Sequence, residues 1–104
     1  MRVHVIAVAA LAAVVAGCGS KDTSNATSGA DVFSTAGCAN CHALAAVGAN
    51  GRVGPDLDQL KPDAARVERQ VTSGGAGMPS FKGTLTPAQI KAVSDYVASK
   101  AGKS

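Results

Sequence analysis

The chain has 104 residues and a formal net charge of +3, a length that fits one domain, nearly excludes two and rules out a large multi-step enzyme. Acidic and basic residues are interspersed without a Lys/Arg block, so the basic stripe of a nucleic-acid binder is missing. Hydrophobic residues make up 46%, but aromatics only 3%, namely Phe33, Phe81 and Tyr96; much of the apolar total is alanine, part of it ahead of Cys18. What remains is marginal as an unaided core and implies a metal, a cofactor or a crosslink.

The first predicted element is a targeting segment. Arg2 supplies a positive start, and Val5 to Val15 is an unbroken apolar run of 11 residues. A membrane-spanning helix needs about 20, whereas the apolar region of an export signal fits this length. A run that is apolar on every face, directly behind Met-Arg-Val-His, does not read as a buried core helix. It ends Val15-Ala16-Gly17-Cys18, which resembles a bacterial lipoprotein signal, where small residues precede the cysteine that becomes the lipidated N-terminus. The resemblance implies a signal peptide over 1–17 and lipidation of Cys18. It also accounts for an odd third cysteine in an oxidising compartment. The alternative is ordinary cleavage near Gly17 that leaves Cys18 as a free thiol. More than one acyl chain would anchor stably, while a single chain holds only marginally. The polar stretch that follows (GSKDTSNATSG) has no large apolar residue and reads as a flexible tether through residue 29, with a root-mean-square reach of ~18 Å. The folded domain is expected over 30–104.

Within that domain, Asp31 to Ala36 reads as a short helix opened near Ser28 and closed by Gly37. From Ala43 to Leu60 the chain is rich in Gly, Asn and Asp and reads mostly as loop. Pro62 to Ser73 reads as a second helix, with Pro62 in its first turn and Gly74-Gly75 as its stop. Ala76 to Leu85 is a loop carrying Met78-Pro79. The last helix has the strongest signals. Thr86 is an N-cap, Pro87 suits the first helical position, and Gln89 completes a capping box. Ile90, Val93, Val97 and Ala101 then recur at helical spacing. No segment alternates with period two.

Cys38-x-x-Cys41-His42 carries the chemistry. C-x-x-C-H is a c-type haem attachment sequence. Two thiols at this spacing reach the two vinyl groups on one edge of a haem, and the next residue, His42, can ligate the iron. With the signal removed, the remaining histidine is His42 and the remaining methionine is Met78. A structural zinc site needs four ligands, and Cys38, Cys41 and His42 are too few and too crowded. A thioredoxin-like dithiol needs a βαβ context, which is missing. A bare Cys38–Cys41 disulfide stays open, although so tight a loop would stabilise little.

The sequence resembles the class I c-type cytochromes in their small, single-haem form. The match runs in order through Gly29-x-x-x-Phe33, Cys38-x-x-Cys41-His42, Gly54-Pro55-x-Leu57, Gly77-Met78-Pro79 and Tyr96, and covers nearly the whole folded part. The resemblance implies an all-α fold of three main helices and loops around one covalently bound haem c. It implies that the first and last helices cross closely, with Gly29 allowing the approach and Phe33 and Tyr96 packed at the crossing. It further implies that the Pro55 carbonyl accepts a hydrogen bond from His42, and that Met78 is the sixth iron ligand. A methionine on a Gly-rich loop is not a core position by helical spacing; the bland alternative is an apolar plug over the haem. His/Met ligation raises the haem potential and leaves no open iron position.

Arg52 is a candidate partner for a haem propionate or else a solvated loop charge. Many relatives have a Trp near a propionate, and this chain has no Trp. Leu57, Leu60, Val67, Val71, Phe81, Leu85, Ile90, Val93 and Val97 are expected in the pocket or core, and Leu44 and Val47 in the pocket lining. Lys61, Arg66, Arg69, Lys82 and Lys91 read as solvated positions, with Lys82 near enough to the Met78 loop to edge a docking face.

The expectation is therefore a non-enzymatic one-electron carrier, exported and lipid-anchored on the extracytoplasmic side, either in the periplasm or on the outer face of the cytoplasmic membrane. Its partners would be redox proteins or membrane respiratory complexes, met transiently, with no nucleic acid and no small-molecule substrate. The alternatives are a haem ligand sensor or weak peroxidase with labile Met78, and a fixed subunit of an oxidase or dehydrogenase complex.

Overall fold

The computed structural model describes residues 24–103. The expected signal peptide, Cys18, the first part of the tether and Ser104 lie outside the described residues. The helices follow their caps. Helix α1 (Gly29–Thr35) opens at Ser28, whose side chain accepts from the Asp31 amide. It begins ahead of the expected Asp31, because the cap selects the start and Gly29 already lies inside. Helix α2 (Leu57–Leu60) is a single turn capped by Asp56, inside a stretch expected to be loop. Helix α3 (Ala64–Ser73) starts after Asp63, whose carboxylate accepts from the Arg66 amide at 2.8 Å. Pro62 therefore precedes the cap and is not part of the first turn. Helix α4 (Pro87–Lys100) has the expected capping box between Thr86 and Gln89 and Pro87 at its start.

The expected loop also contains a two-residue antiparallel ladder, β1 (Ala43–Leu44) with β2 (Ala49–Asn50), pairing Ala43 with Asn50 and Leu44 with Ala49. Four helices and this small ladder make an all-α fold.

Helices α1 and α3 both pack on α4. At the α1–α4 crossing, a Cβ on Gly29 would lie 2.4 Å from the Ala92 carbonyl oxygen and 2.4 Å from Tyr96 Cβ. Only a glycine fits there. One turn on, the Phe33 and Tyr96 rings meet with centroids 6.2 Å apart and a 57° tilt, a favourable edge-biased geometry. Val32 and Phe33 of α1, Val67 and Val71 of α3, and Ile90, Val93 and Val97 of α4 join Leu44, Leu57 and Leu85 in the core.

Packing reaches further toward the N-terminus than composition indicates. Ala26 is buried, and its carbonyl accepts from Gln89 Nε2 at 2.8 Å. Asp58 closes the other end. One carboxylate oxygen accepts from the Ala45 amide at 2.8 Å and the other from the Gly102 amide at 2.9 Å. The loop before α2 and the end of α4 are thus tied through one side chain.

Candidate functional site

Cys38 opens a 3₁₀ turn (Cys38–Asn40) directly after α1. Its carbonyl accepts from the amides of both Cys41 and His42, at 3.2 and 3.0 Å. That turn brings the two cysteines to one side of the chain and delivers His42 immediately after them. Both thiols are free. Burial pushes the Cys38 thiol up to about 11, with the nearby Cys41 adding to the shift against a backbone hydrogen bond that lowers it. Reactive thiols instead have a depressed pKa in an electropositive setting, so Cys38 is not set up as a nucleophilic thiolate. Among the described residues no group of three or more His, Cys, Asp or Glu side chains is placed to hold a metal ion.

The segment after β2 wraps the motif. The Gly54 amide donates to the Cys41 carbonyl at 2.7 Å, and the Gly51 amide to the His42 carbonyl at 3.2 Å. Gly54 then lies flat against the imidazole: a Cβ there would sit 2.6 Å from His42 Cε1 and 3.0 Å from Nδ1. Next along the chain, the Pro55 carbonyl is 2.7 Å from His42 Nδ1. A carbonyl can only accept, so Nδ1 carries the proton and Nε2 keeps its lone pair. The ring is fixed in one tautomer and one orientation, the arrangement expected of a metal-ligating histidine.

Met78 sits on a reverse turn. The Gly75 amide donates to the Met78 carbonyl at 2.9 Å, and the Met78 amide to the Gly75 carbonyl at 3.0 Å. The two central residues, Ala76 and Gly77, have φ of 52° and 89°, the sign pattern of a type I′ turn. The loop is pinned to the end of α3. The Phe81 amide donates to the Val71 carbonyl, Ser80 Oγ to the Thr72 carbonyl, and Gln70 Nε2 to the Gly75 carbonyl.

Cys38, Cys41, His42, Pro55 and Met78 all line one cleft of about 360 Å³, walled mainly by apolar side chains such as Leu57, Val67, Val71, Phe81 and Val97. That volume falls within the ~300–1,000 Å³ of small-molecule and cofactor sites. Paired thiols, an imidazole with a free nitrogen and a thioether around an apolar slot fit an iron porphyrin. The expected set is therefore brought together, with three exceptions. Arg52 lines a separate hollow, of about 460 Å³, with Asn50, Asp56 and Asp58. Leu44 is fully buried in the core instead of lining the cleft, and Val47 is 39% exposed.

Sequence reading missed several cleft residues. Arg66 and Gln70 line it from α3 and Pro62 from just ahead of that helix, while Val53 stands on it although 83% exposed. The phase of α3 held a usable signal. Burial of Val67 and Val71 leaves Arg66 and Gln70 one position back, on the adjoining stripe of the same helix.

Residues 24–97 match the family described as "Cytochrome C oxidase, cbb3-type, subunit III". The chain is 39% identical over 83 residues to cytochrome c6 of Leptolyngbya boryana, covering 76% of this chain and 96% of that one. It is 34% identical over 85 residues to the quinohemoprotein alcohol dehydrogenase ADH-IIG of Pseudomonas putida, covering 79% of this chain. It spans only 11% of that enzyme's length. Among solved structures, the c-type cytochrome SorU from Sinorhizobium meliloti superposes with a TM-score of 0.61 at 53% sequence identity, over 64% of this chain and 75% of that one.

Proposed function

Because the chain belongs to the class I c-type cytochromes, electron-transfer proteins with covalently bound haem c, we propose that it is an exported, membrane-tethered one-electron carrier whose haem is attached through Cys38 and Cys41 and ligated by His42 and Met78. When bound, the haem supplies a one-electron ferric/ferrous couple. The chain's own residues do the rest. Cys38 and Cys41 hold the cofactor's edge. His42 presents Nε2, with its ring locked by Gly54 and by the Pro55 carbonyl. Met78, on a loop fastened to α3, would supply a thioether ligand to the iron, and the apolar walls exclude water. With His42 and Met78 both serving as ligands, no iron site would be open to oxygen or peroxide, which separates a carrier from a sensor or peroxidase.

The observation that carries this reading is the convergence of His42 and Met78 on one apolar cleft with the paired cysteines. The test is the visible spectrum of protein made in a host with cytochrome c maturation. The expected result is haem that survives denaturation, sharp low-spin reduced bands, the weak far-red methionine–ferric band, and no rapid carbon monoxide binding. Met78→Leu should remove the far-red band and admit carbon monoxide. A wild-type protein with covalent haem, a high-spin spectrum and stoichiometric carbon monoxide uptake would make it a sensor or peroxidase instead.

Cys18 is the proposed lipid anchor, and residues 1–17 the signal that precedes it. Among the described residues no helix is long and apolar enough to cross a membrane. The tether would keep the carrier at high local concentration beside respiratory redox complexes, which it meets through small, transient interfaces. Cys18→Ser should release the protein from membranes with its haem spectrum unchanged; persistent pelleting of that variant would refute the anchor.

A further inference from the structure

Among the described residues, Arg66 is the one side chain in the cleft lining with a fixed charge, and no Asp or Glu lines the cleft. The other titratable groups there are His42, Cys38 and Cys41. The guanidinium has no ion pair or side-chain hydrogen bond among the described residues. Of the acidic residues next to it in sequence, Asp63 uses its carboxylate to cap α3 through the Arg66 backbone amide, and Glu68, two positions on, forms no ion pair with it. Arg52 faces the other hollow, in the company of Asp56 and Asp58. A cation at the edge of an apolar slot, without a counter-ion among the described residues, is placed to receive an anion from whatever fills the slot. Arginine's planar fork suits a carboxylate, to which it can bond through two parallel N–H groups.

We propose that Arg66 is the positioning residue for the anionic edge of the bound haem, pairing with a propionate carboxylate in place of Arg52. This rests on the haem site proposed above. The pairing has two consequences. It offsets negative charge close to the iron, which favours the ferrous form. It also holds the propionate ionised, so that the midpoint potential stays flat between pH 5 and 8.

The test uses the haem-loaded protein and its variants Arg66→Gln, Arg66→Lys and Arg52→Gln, each first checked for covalent haem and a low-spin spectrum. Potentials are then titrated as a function of pH. Arg66→Gln should lower the potential, shifting the ferrous-to-ferric ratio up to about tenfold, which is 59 mV for a one-electron couple. It should also introduce a pH dependence, with the potential rising as pH falls, because the released carboxylate then takes up a proton. Arg66→Lys keeps the charge and should restore most of the potential, and Arg52→Gln should leave it unchanged. A flat, wild-type potential in Arg66→Gln overturns the proposal, as does a fall in Arg52→Gln instead. An Arg66→Gln protein with normal potential but slower reaction with redox partners also overturns it and assigns Arg66 to docking. Wild-type protein without covalent haem would refute the haem site itself, an outcome distinct from a normal haem spectrum with an insensitive potential.

Discussion

Gly29→Ala sets two effects of opposite sign against each other. On propensity alone, replacing a helical glycine by alanine stabilises by up to ~1 kcal/mol. The crossing opposes it. The new Cβ would lie 2.4 Å from both the Ala92 carbonyl oxygen and Tyr96 Cβ, against an ordinary carbon contact of ~3.5–4.0 Å. Neither partner is the free end of a flexible side chain, so α1 must move away from α4. That movement opens a gap along the Phe33–Tyr96 contact, and a gap of ~0.5–1 Å already forfeits a quarter to a half of each dispersion contact. Overpacking costs about 1–3 kcal/mol, and two backbone-level collisions place this site near the upper end. The net loss is then about 2 kcal/mol, or a melting temperature lower by roughly 8–16 °C for a domain of this size. Thermal unfolding of haem-loaded protein followed by circular dichroism measures it. An unchanged or higher melting temperature would show that propensity wins and that the helices are not in closest contact at Gly29.

Asp58→Ala strips acceptors from the Ala45 and Gly102 amides and should cost about 2 kcal/mol in denaturant titration, with faster hydrogen exchange at those two amides. Ala76 holds a φ of 52°, a conformation that penalises alanine by ~1–2 kcal/mol but suits asparagine. Ala76→Asn should therefore stabilise by up to ~1 kcal/mol with the far-red band intact; a destabilised variant would count against the turn geometry. Gly54→Ala drives a Cβ into the His42 ring at 2.6 Å and should break the Pro55 hydrogen bond. Partial loss of the low-spin spectrum at unchanged covalent haem content is the expected reading.

Features specified by neighbours in sequence were legible before the fold was known. The Thr86–Gln89 capping box, the Cys38-x-x-Cys41-His42 turn and the Met78 loop each depend on residues a few positions apart, and each forms. The readings that moved depend on distant partners. Arg52 is next but one to Gly54-Pro55 in sequence, but those two residues turn in against His42 while Arg52 stays with the second hollow. Asp58 looked like loop polarity, because nothing near it in sequence shows that its carboxylate reaches Gly102. Ala26 looked like tether, since a lone alanine among polar residues carries no signal until Gln89 reaches its carbonyl. Arg66 looked solvated because charge was read without the phase that Val67 and Val71 impose on α3.

The small core and the cleft together predict how far the fold depends on its cofactor. Phe33, Leu57, Val67, Val71, Val93 and Val97 are at once core residues and cleft walls. In a chain without haem they would face an opening of about 360 Å³ instead of one another. At ~24 cal/mol per Å³ of cavity, that opening costs up to roughly 9 kcal/mol. Water entering from the open side reduces the cost, so this is an upper bound. Whole domains are stable by only ~5–15 kcal/mol. The side chains buried most completely are merely Leu44, Val32, Val93 and Ser94, too little to absorb a loss of that order. A Cys38→Ala/Cys41→Ala protein lacking haem should therefore keep some helix but melt without a cooperative transition, with weak amide protection even in α4. A sharp calorimetric peak from that haem-free variant would mean that the helices close over the cleft by themselves, and that the cofactor occupies a preformed site instead of completing the core.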